Sequence, residues 1–341
     1  MVVLVTGVTG RIGANLALQL SKRDYRVRGM AVPNDPKTNS LTEKCDIDIV
    51  ESDIRDAAAV YQAVSGTDVV VHLAAQMKQG TNTAQSMFEI NTIGTLNILE
   101  GVLRCRKRTP KLIVASTDQT YTSFVARQTT FYEDDIQRPI DIYALTKYLS
   151  EQICFEYSRE YGLPILVLRY STVLAADECL DVLTPAWLSE FIEDRTSRKR
   201  IPWFGQENVE KAKQSAKDAL RIPDAVCAVS DRLGNSWALP FTDVRDTVQG
   251  TILAIEKSEV AQGVFNVVGP CSTPFVTVAK LVADRTGRKY VEVEMPFLWA
   301  FSVSNAKAVG MLGYDPRFTF PKMVDSALSF RKGQDIGVVP A

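Results

Sequence analysis

In the first 170 residues, short runs of valine, isoleucine and leucine alternate with longer stretches whose apolar side chains recur at helical spacing. Residues 2–5, 25–32, 48–51, 68–73, 111–115 and 165–169 read as strands. Residues 12–22, 57–64 and 142–161 read as helices. In 83–106, Met87, Ile90, Leu96, Leu99 and Leu103 recur at the same helical period. Continuous apolar strands between amphipathic helices predict a parallel, doubly wound α/β sheet, because such strands are covered on both faces. After about residue 171 the rhythm breaks. Residues 205–235 are polar and mixed in charge, with no obvious strand, and read as an inserted helix or lid-like excursion. Apolar pattern resumes at 241–255 and 264–268, and 275–285 looks helical. The expected division is a first domain over 1–170 and a smaller lobe over 171–341, with 241–268 returning to the first sheet.

Composition narrows the class without naming a chemistry. The 341 residues are 46% hydrophobic and 23% charged, as in ordinary globular proteins. A net charge of −1 gives no field that would draw the whole molecule to nucleic acid or an anionic membrane. The cysteines (45, 105, 154, 179, 227 and 271) are scattered without a C-x-x-C. They read as reduced, mostly buried thiols of a cytoplasmic protein. His72 is the sole histidine, which argues against a structural zinc site or a Ser-His-Asp triad; no metal is expected. The chain enters a strand at once, so no secretory signal is expected, and no apolar run is long enough to span a membrane.

The first chemical signal is TGVTGRIG at 6–13, between the first apolar run and the first helix. Strand, glycine turn and helix present backbone N–H groups and a positive helix end to a pyrophosphate. Gly7 permits the tight turn, Gly10 lets the backbone approach phosphates, and Gly13 allows close packing of helix on strand. A plain strand-to-helix turn can use the same residues, but the placement favours a dinucleotide. The second signal is Tyr143-x-x-x-Lys147, whose spacing puts both side chains on one helix face. There a lysine can lower a tyrosine's pKa and make the phenol a usable acid or base. The third is Ser116-Thr117 at the end of the fifth strand, where a hydroxyl points into the ligand crevice.

Together these blocks resemble the extended short-chain dehydrogenase/reductase family of the NAD-dependent epimerase/dehydratase type. The resemblance runs through DIRD at 53–56, HLAA at 72–75, NTIGTLNILE at 91–100 and ASTDQTY at 115–121. It continues through YALTK at 143–147, LRYS at 168–171, FTDVRD at 241–246, FNVVGP at 265–270 and LGYDP at 312–316. It implies a Rossmann-type NAD(P)-binding domain over 1–170 and a mainly substrate-binding C-terminal lobe. It further implies that Tyr143 is the acid/base, Lys147 its pKa-lowering partner and a holder of the nicotinamide ribose, and Thr117 the hydroxyl on the reacting oxygen. Ser116 is the fallback for that last role. The cofactor positions it implies are Gly7, Thr9, Gly10, Arg11, Ile12, Gly13, Asp53, Ile54, Leu73, Ala74, Ala75, Asn91 and Ser116, with Tyr143 and Lys147. Asp53 and Ile54 are expected at the adenine, and Asn91 as a support. His72 reads as a packed residue. The implied activity is hydride transfer at a secondary alcohol or ketone carbon of a sugar-like or polyhydroxylated substrate. The implied assembly is a homodimer, through helices near 83–106 and 142–161.

Several positions depart from the family pattern. The acid expected to grip the NAD ribose should close the second strand, but Ala31 and Val32 stand there. Arg11 could instead reach a 2′-phosphate or be a solvated helix-start residue, so NAD and NADP both stay open. Asp118-Gln119 replaces the acidic pair of sugar-nucleotide dehydratases, and a glutamine cannot act as a base, which disfavours 4,6-dehydration. Nucleotide-sugar members clamp a diphosphate with an asparagine and an arginine; the matching positions are Thr172 and Leu239. Arg245, or basic residues of 194–221, are the substitutes to consider. These losses point toward a sugar, sugar acid or other polyhydroxylated alcohol. The alternatives are a nucleotide-sugar epimerase or dehydratase with an atypical clamp, or a catalytically silent NAD(P)-binding regulator. Epimerase and net dehydrogenase stay open.

Overall fold

In the computed structural model, which describes residues 1–77, 83–105, 108–121, 129–196 and 205–340, the apolar runs become parallel strands. β1 (Val2–Thr6) passes through the glycine turn into α1 (Arg11–Ser21); β2 (Arg26–Ala31), α2 (Lys37–Thr42), β3 (Asp48–Glu51) and α3 (Ala57–Val64) follow. β4 (Val69–His72) precedes α4 (Ala84–Met87), a π-helical stretch at Phe88–Ile93 and α5 (Gly94–Leu103). The continuous helix expected over 83–106 is therefore interrupted, as π turns often do beside a functional site; Arg106 lies outside the described residues. β5 (Lys111–Thr117), β6 (Thr129–Phe131), α6 (Ile142–Tyr161) and β7 (Ile165–Tyr170) complete the first half.

The second half runs through β8 (Thr172–Leu174), α7 (Pro185–Thr196), α8 (Gly205–Ala219), β9 (Val226–Asp231) and β10 (Ala238–Asp243). Then come α9 (Val244–Glu256), β11 (Gly263–Val267), β12 (Ser272–Pro274), α10 (Phe275–Thr286) and β13 (Tyr290–Met295). β14 (Phe301–Val303), α11 (Ala306–Leu312) and α12 (Phe320–Arg331) end the chain's regular structure. Among the described residues the main sheet has seven parallel strands in the order β11-β7-β5-β4-β1-β2-β3. The chain winds outward from β1 through β2 to β3, then restarts at β4 on the other side. The crevice between β1 and β4 is thus the topological switch point, where such sheets bind ligands.

Strand alternation sorts the core. Val3 and Val5 of β1 join one apolar cluster, with α1 and α9, while Leu4 joins the opposite one, with α3 and α5. β4 repeats this with Val69 and Val71 against Val70, and β5 with Ile113 and Ala115 against Leu112 and Val114. A third cluster, rich in tryptophan and phenylalanine, fills the second lobe.

The second half departs from its reading in three places. Residues 205–235 hold not only a helix but the strand β9, which pairs in parallel with β13. Its buried run Val226–Val229 was masked by the polar helix before it. Within 241–268, β11 joins the main sheet beside β7, but β10 pairs with β8 and β12 in a separate three-stranded sheet. Finally, chain beyond 268 also packs under the main sheet: Ala308, Leu312 and Tyr314 lie in the α1 cluster. Asn15 of α1 exchanges two hydrogen bonds with the Val339 backbone, at 2.8 and 2.7 Å. Among the described residues no helix is long and apolar enough to cross a membrane.

Candidate active site

The carboxyl ends of β1, β4, β5 and β7 open into one cleft of about 270 Å³, lined by the glycine turn at one end and by Thr117, Tyr143 and Lys147 at the other. Gly7 has φ +65°, and a Cβ there would meet the Ala74 backbone at 2.9 Å. On Gly13 a Cβ would sit 2.2 Å from the Gly7 carbonyl oxygen. These two glycines are required by packing. Gly10 differs, because a Cβ there would have one near neighbour, the Gly7 carbonyl at 3.2 Å. Gly10 is also the N-cap of α1 and supplies no capping side chain. The first-turn residues Arg11, Ile12 and Gly13 therefore bring uncapped backbone donors to the cleft wall. That is a fit for a pyrophosphate tested on the fold itself. Leu73 and Ala75 line the same cleft beside it.

α6 starts where Asp141 accepts a 2.7 Å hydrogen bond from the Ala144 N–H, which places Tyr143 in its first turn, over the end of β5. Burial pushes the Tyr143 phenol well above its ordinary pKa, the carboxylates Asp118 and Asp141 push it further, and a hydrogen bond with Thr117 opposes them. Thr117 thus touches the phenol and acts against its burial. Lys147 is buried, and that burial pulls its pKa down to about 8 against the opposing pull of Cys154 and Glu151. Thr117 caps the short turn Asp118–Thr120 by accepting from the Gln119 N–H at 3.2 Å. Ser116 lines the cleft as well, but its hydroxyl proton is donated to Glu151, which leaves Thr117 as the hydroxyl beside Tyr143.

Behind the cleft lies a buried polar network that the sequence did not reveal. Glu151, two turns beyond Tyr143, takes both Arg169 Nε at 3.0 Å and Nη2 at 2.7 Å, and Gln137 at 2.9 Å. Arg169 also donates to the Tyr121 hydroxyl at 2.7 Å and the Glu133 carbonyl at 2.8 Å. Tyr121 in turn donates to Asn266 of β11 at 2.9 Å. The regular i, i+4, i+8 spacing of Tyr143, Lys147 and Glu151 was the available signal.

Asn91 does not line the cleft. It holds the loop after β4 to α6, accepting from the Gln76 N–H at 2.7 Å and donating to Thr146 at 2.9 Å. His72 is packed as expected. Thr95 donates to the Asn91 carbonyl at 2.6 Å, so its oxygen accepts from His72 Nε2 at 3.1 Å. Nδ1 then accepts from Thr6 at 2.8 Å. Burial holds this ring's pKa at about 3.

Other positions separate from the cleft. Asp53 binds Arg55, whose hydrogen bonds lower its pKa, and Ile54 packs beneath Gly94. Thr9 does not line the cleft; it donates to Asp35 at 2.6 Å. This carboxylate, in the VPNDP turn just after β2, stands beside the glycine turn although Ala31 and Val32 are not acidic. Arg11 lines the cleft with about a third of its side chain exposed, and it forms a two-pronged ion pair with Glu178.

At the far end the cleft continues into a second cavity of about 30 Å³, sharing Gln119 and Thr172 as lining. Phe191, Leu239, Pro240, Trp299 and Phe301 make its apolar wall, with Asp118, Gln119 and Thr172 at its polar edge. Thr172 and Leu239, the two departures from the diphosphate clamp, thus meet at one cavity. Arg245 cannot replace the clamp: it chelates Asp243 at 2.8 and 2.7 Å and lies 3.7 Å over the Phe318 ring. Lys211, Lys213 and Arg221 pair with Glu207, Glu193 and Asp218. Lys78 and residues 197–204 lie outside the described residues.

A family model described as the NAD dependent epimerase/dehydratase family matches residues 3–268. UDP-glucuronate 4-epimerase 1 of Arabidopsis thaliana is 35% identical over 184 residues, which cover 50% of this chain and 42% of that protein. The chain thus spans less than half the length of that relative. L-arabinose 1-dehydrogenase (NAD(P)(+)) of Haloferax volcanii is 28% identical over 67% of this chain and 86% of its own. In fold, a short-chain dehydrogenase/reductase superfamily protein from Agrobacterium tumefaciens with bound NAD superposes with a TM-score of 0.80. It is 24% identical, covering 98% of both chains.

Proposed function

The chain belongs to the NAD dependent epimerase/dehydratase family, and from that premise we propose that it is an NAD(P)-dependent oxidoreductase or epimerase acting on a secondary alcohol or ketone of a sugar-like, polyhydroxylated substrate. The observation that carries this is the convergence of Thr117, Tyr143 and Lys147 on the cleft that begins at the glycine turn. A bound dinucleotide supplies the hydride acceptor or donor. The turn of residues 7–13 would hold its pyrophosphate, with Leu73 and Ala75 beside it, and Lys147 would hold its ribose. Tyr143 moves the hydroxyl proton of the substrate, and Thr117 holds the reacting oxygen by hydrogen bonding. Lys147, mainly an ammonium below about pH 8, supplies the positive charge a developing phenolate needs.

Asp35 supports a preference for NAD, since a carboxylate fixed by Thr9 beside the turn repels a 2′-phosphate. Leu103, Ile142 and Tyr161, exposed on the neighbouring helices α5 and α6, support pairing of two copies through that face. Light scattering of the purified chain checks the assembly. The free thiols, Cys271 among them exposed, support a reducing, cytoplasmic setting.

Tyr143→Phe tests the reading: turnover should fall by about 10²–10⁴-fold while dinucleotide affinity is kept. Unchanged turnover in that variant would reject the enzymatic reading in favour of a silent cofactor-binding regulator. Nicotinamide retained through purification separates an epimerase from a dehydrogenase, which instead changes NAD(P)H in proportion to substrate.

A further inference from the structure

The segment between β8 and α7 crosses from one core to the other. Val173 and Ala175 belong to the apolar cluster under the main sheet, and Cys179 and Leu180 to that of the second lobe. The crossing turns at Ala176, whose φ of +48° is left-handed and unfavourable for a residue with a Cβ. Two adjacent acids pin it in different directions. Asp177 accepts from Arg331 of α12 at 2.8 Å. Glu178 accepts from the Ala175 N–H at 2.7 Å, which holds the turn itself, and takes both prongs of Arg11.

Of the two, only the Glu178 bond reaches the cleft. Arg11 stands in the first turn of α1, beside the backbone donors of the glycine end, and lines the cleft. Ser171, Thr172 and Val173, which lead into the crossing, line it too. β4 and β5 lie between β1 and β7 in the sheet. A link from the turn after β1 to the chain beyond β7 and β8 therefore bridges the cleft that opens over the ends of those strands. An isolated surface ion pair holds little. This one is two-pronged, with about a third of each side chain exposed, and its carboxylate is already fixed by a backbone N–H. Little side-chain freedom is left to lose when it closes.

Resting on the proposed function, we infer that the Arg11–Glu178 pair is a strap across the dinucleotide cleft, in which Glu178 positions the Arg11 side chain so that a bound cofactor leaves only when the pair opens. Slow release separates a nicotinamide kept through the catalytic cycle from one exchanged after each turnover. The strap thus bears on the choice between epimerase and dehydrogenase.

Release of NADH from the full chain into excess NAD, followed by stopped-flow fluorescence, reads the strap without turnover. Glu178→Gln keeps an oxygen for the Ala175 N–H but removes the charge, and should speed release about tenfold. Arg11→Gln should do the same, and Arg11→Lys, with one prong, should fall between. The double glutamine variant should release no more than about twofold faster than either single one, because both changes cut the same bond. Asp177→Asn loosens the same crossing away from the cleft and should leave the rate within about twofold. Release that is unchanged or slower in Glu178→Gln overturns the inference, since Glu178 would then be withholding Arg11 from the pyrophosphate. Multiplying effects in the double variant also overturn it, because Arg11 would then act on the phosphates directly. So does equal acceleration in Asp177→Asn, which would mean that the segment only supports the fold. Failure of the enzymatic reading looks different: the release rates rank as stated, but turnover is indifferent to Tyr143→Phe.

Discussion

At the glycine end the cleft wall comes from the single stretch 7–13, whereas at the far end it is assembled from separate segments. Asp118 and Gln119 follow β5, Thr172 starts β8, Phe191 comes from α7, Leu239 lies in β10, and Trp299 lies 60 residues further on, just before β14. The first surface works through backbone donors and close approach, which glycine alone permits, so its spacing is written in the sequence. The second works through side-chain shape and charge, and no spacing in the chain marks it. Recognition by backbone is local and intolerant of change; recognition by assembled side chains is distributed and open to substitution.

The largest expected effect tests that intolerance. Gly13→Ala puts a methyl 2.2 Å from the Gly7 carbonyl oxygen, a backbone atom that cannot step aside. Dinucleotide affinity should fall on the order of 100-fold by fluorescence titration, or the chain should fail to fold. Leu239→Ala at the other end should leave that affinity within about twofold; an equal loss there would end the contrast.

Next comes the network between the two ends. Glu151→Ala leaves the Arg169 guanidinium buried and unpaired, at 3% exposure, and should cost about 3–5 kcal/mol in denaturant unfolding. Replacing both partners by methionine should recover part of the loss, because the desolvation of two charges goes with them. No recovery would mean that Tyr121, Gln137 and Ser116 need the pair more than the pair costs.

On the cofactor side, His72 is a smaller test. Its folded pKa of about 3 lies below the unfolded value near 6.5. Below pH 6.5 the unfolded chain binds a proton that the native chain does not, so stability should fall with pH by up to ~1.4 kcal/mol per unit. His72→Gln should flatten the excess slope between pH 6.5 and 5, where carboxylates contribute least. An unaltered pH–stability curve would mean that the ring already takes a proton in the folded chain. Smallest is Asp35→Asn, which should raise the use of NADP relative to NAD by about tenfold in steady-state kinetics. An unchanged ratio would remove Asp35 from cofactor selection.

Legibility followed the same line. The six strands read in the first half all appear, within one or two residues at their ends; β1, β4, β5 and β7 are mostly apolar runs buried almost throughout, while β3, at the sheet edge, is only half-buried. In 205–235 the strand β9 went unread, since its four buried residues follow a polar amphipathic helix and pair with β13, far along the chain. Of the site, the glycine turn, Thr117, Tyr143 and Lys147 were legible and meet in one cleft. Asp35 was not, because its distance from the end of β2 hides it until the VPNDP turn folds back onto Thr9. Ser116 was the fallback for Thr117, and its donation to Glu151 could not be read from two adjacent hydroxyls.

The sequence by itself determined the doubly wound half, the glycine turn and the placing of Tyr143 and Lys147 on one helix face, because each depends on neighbours within a few residues or on a fixed strand or helix period. Only the tertiary structure decided that Arg11 belongs to Glu178, that Arg245 belongs to Asp243, and that Thr172, Leu239 and Trp299 share one wall. Those partners come from distant parts of the chain. Which charge meets which, and which surface is left to face a substrate, is settled by packing that no local pattern encodes.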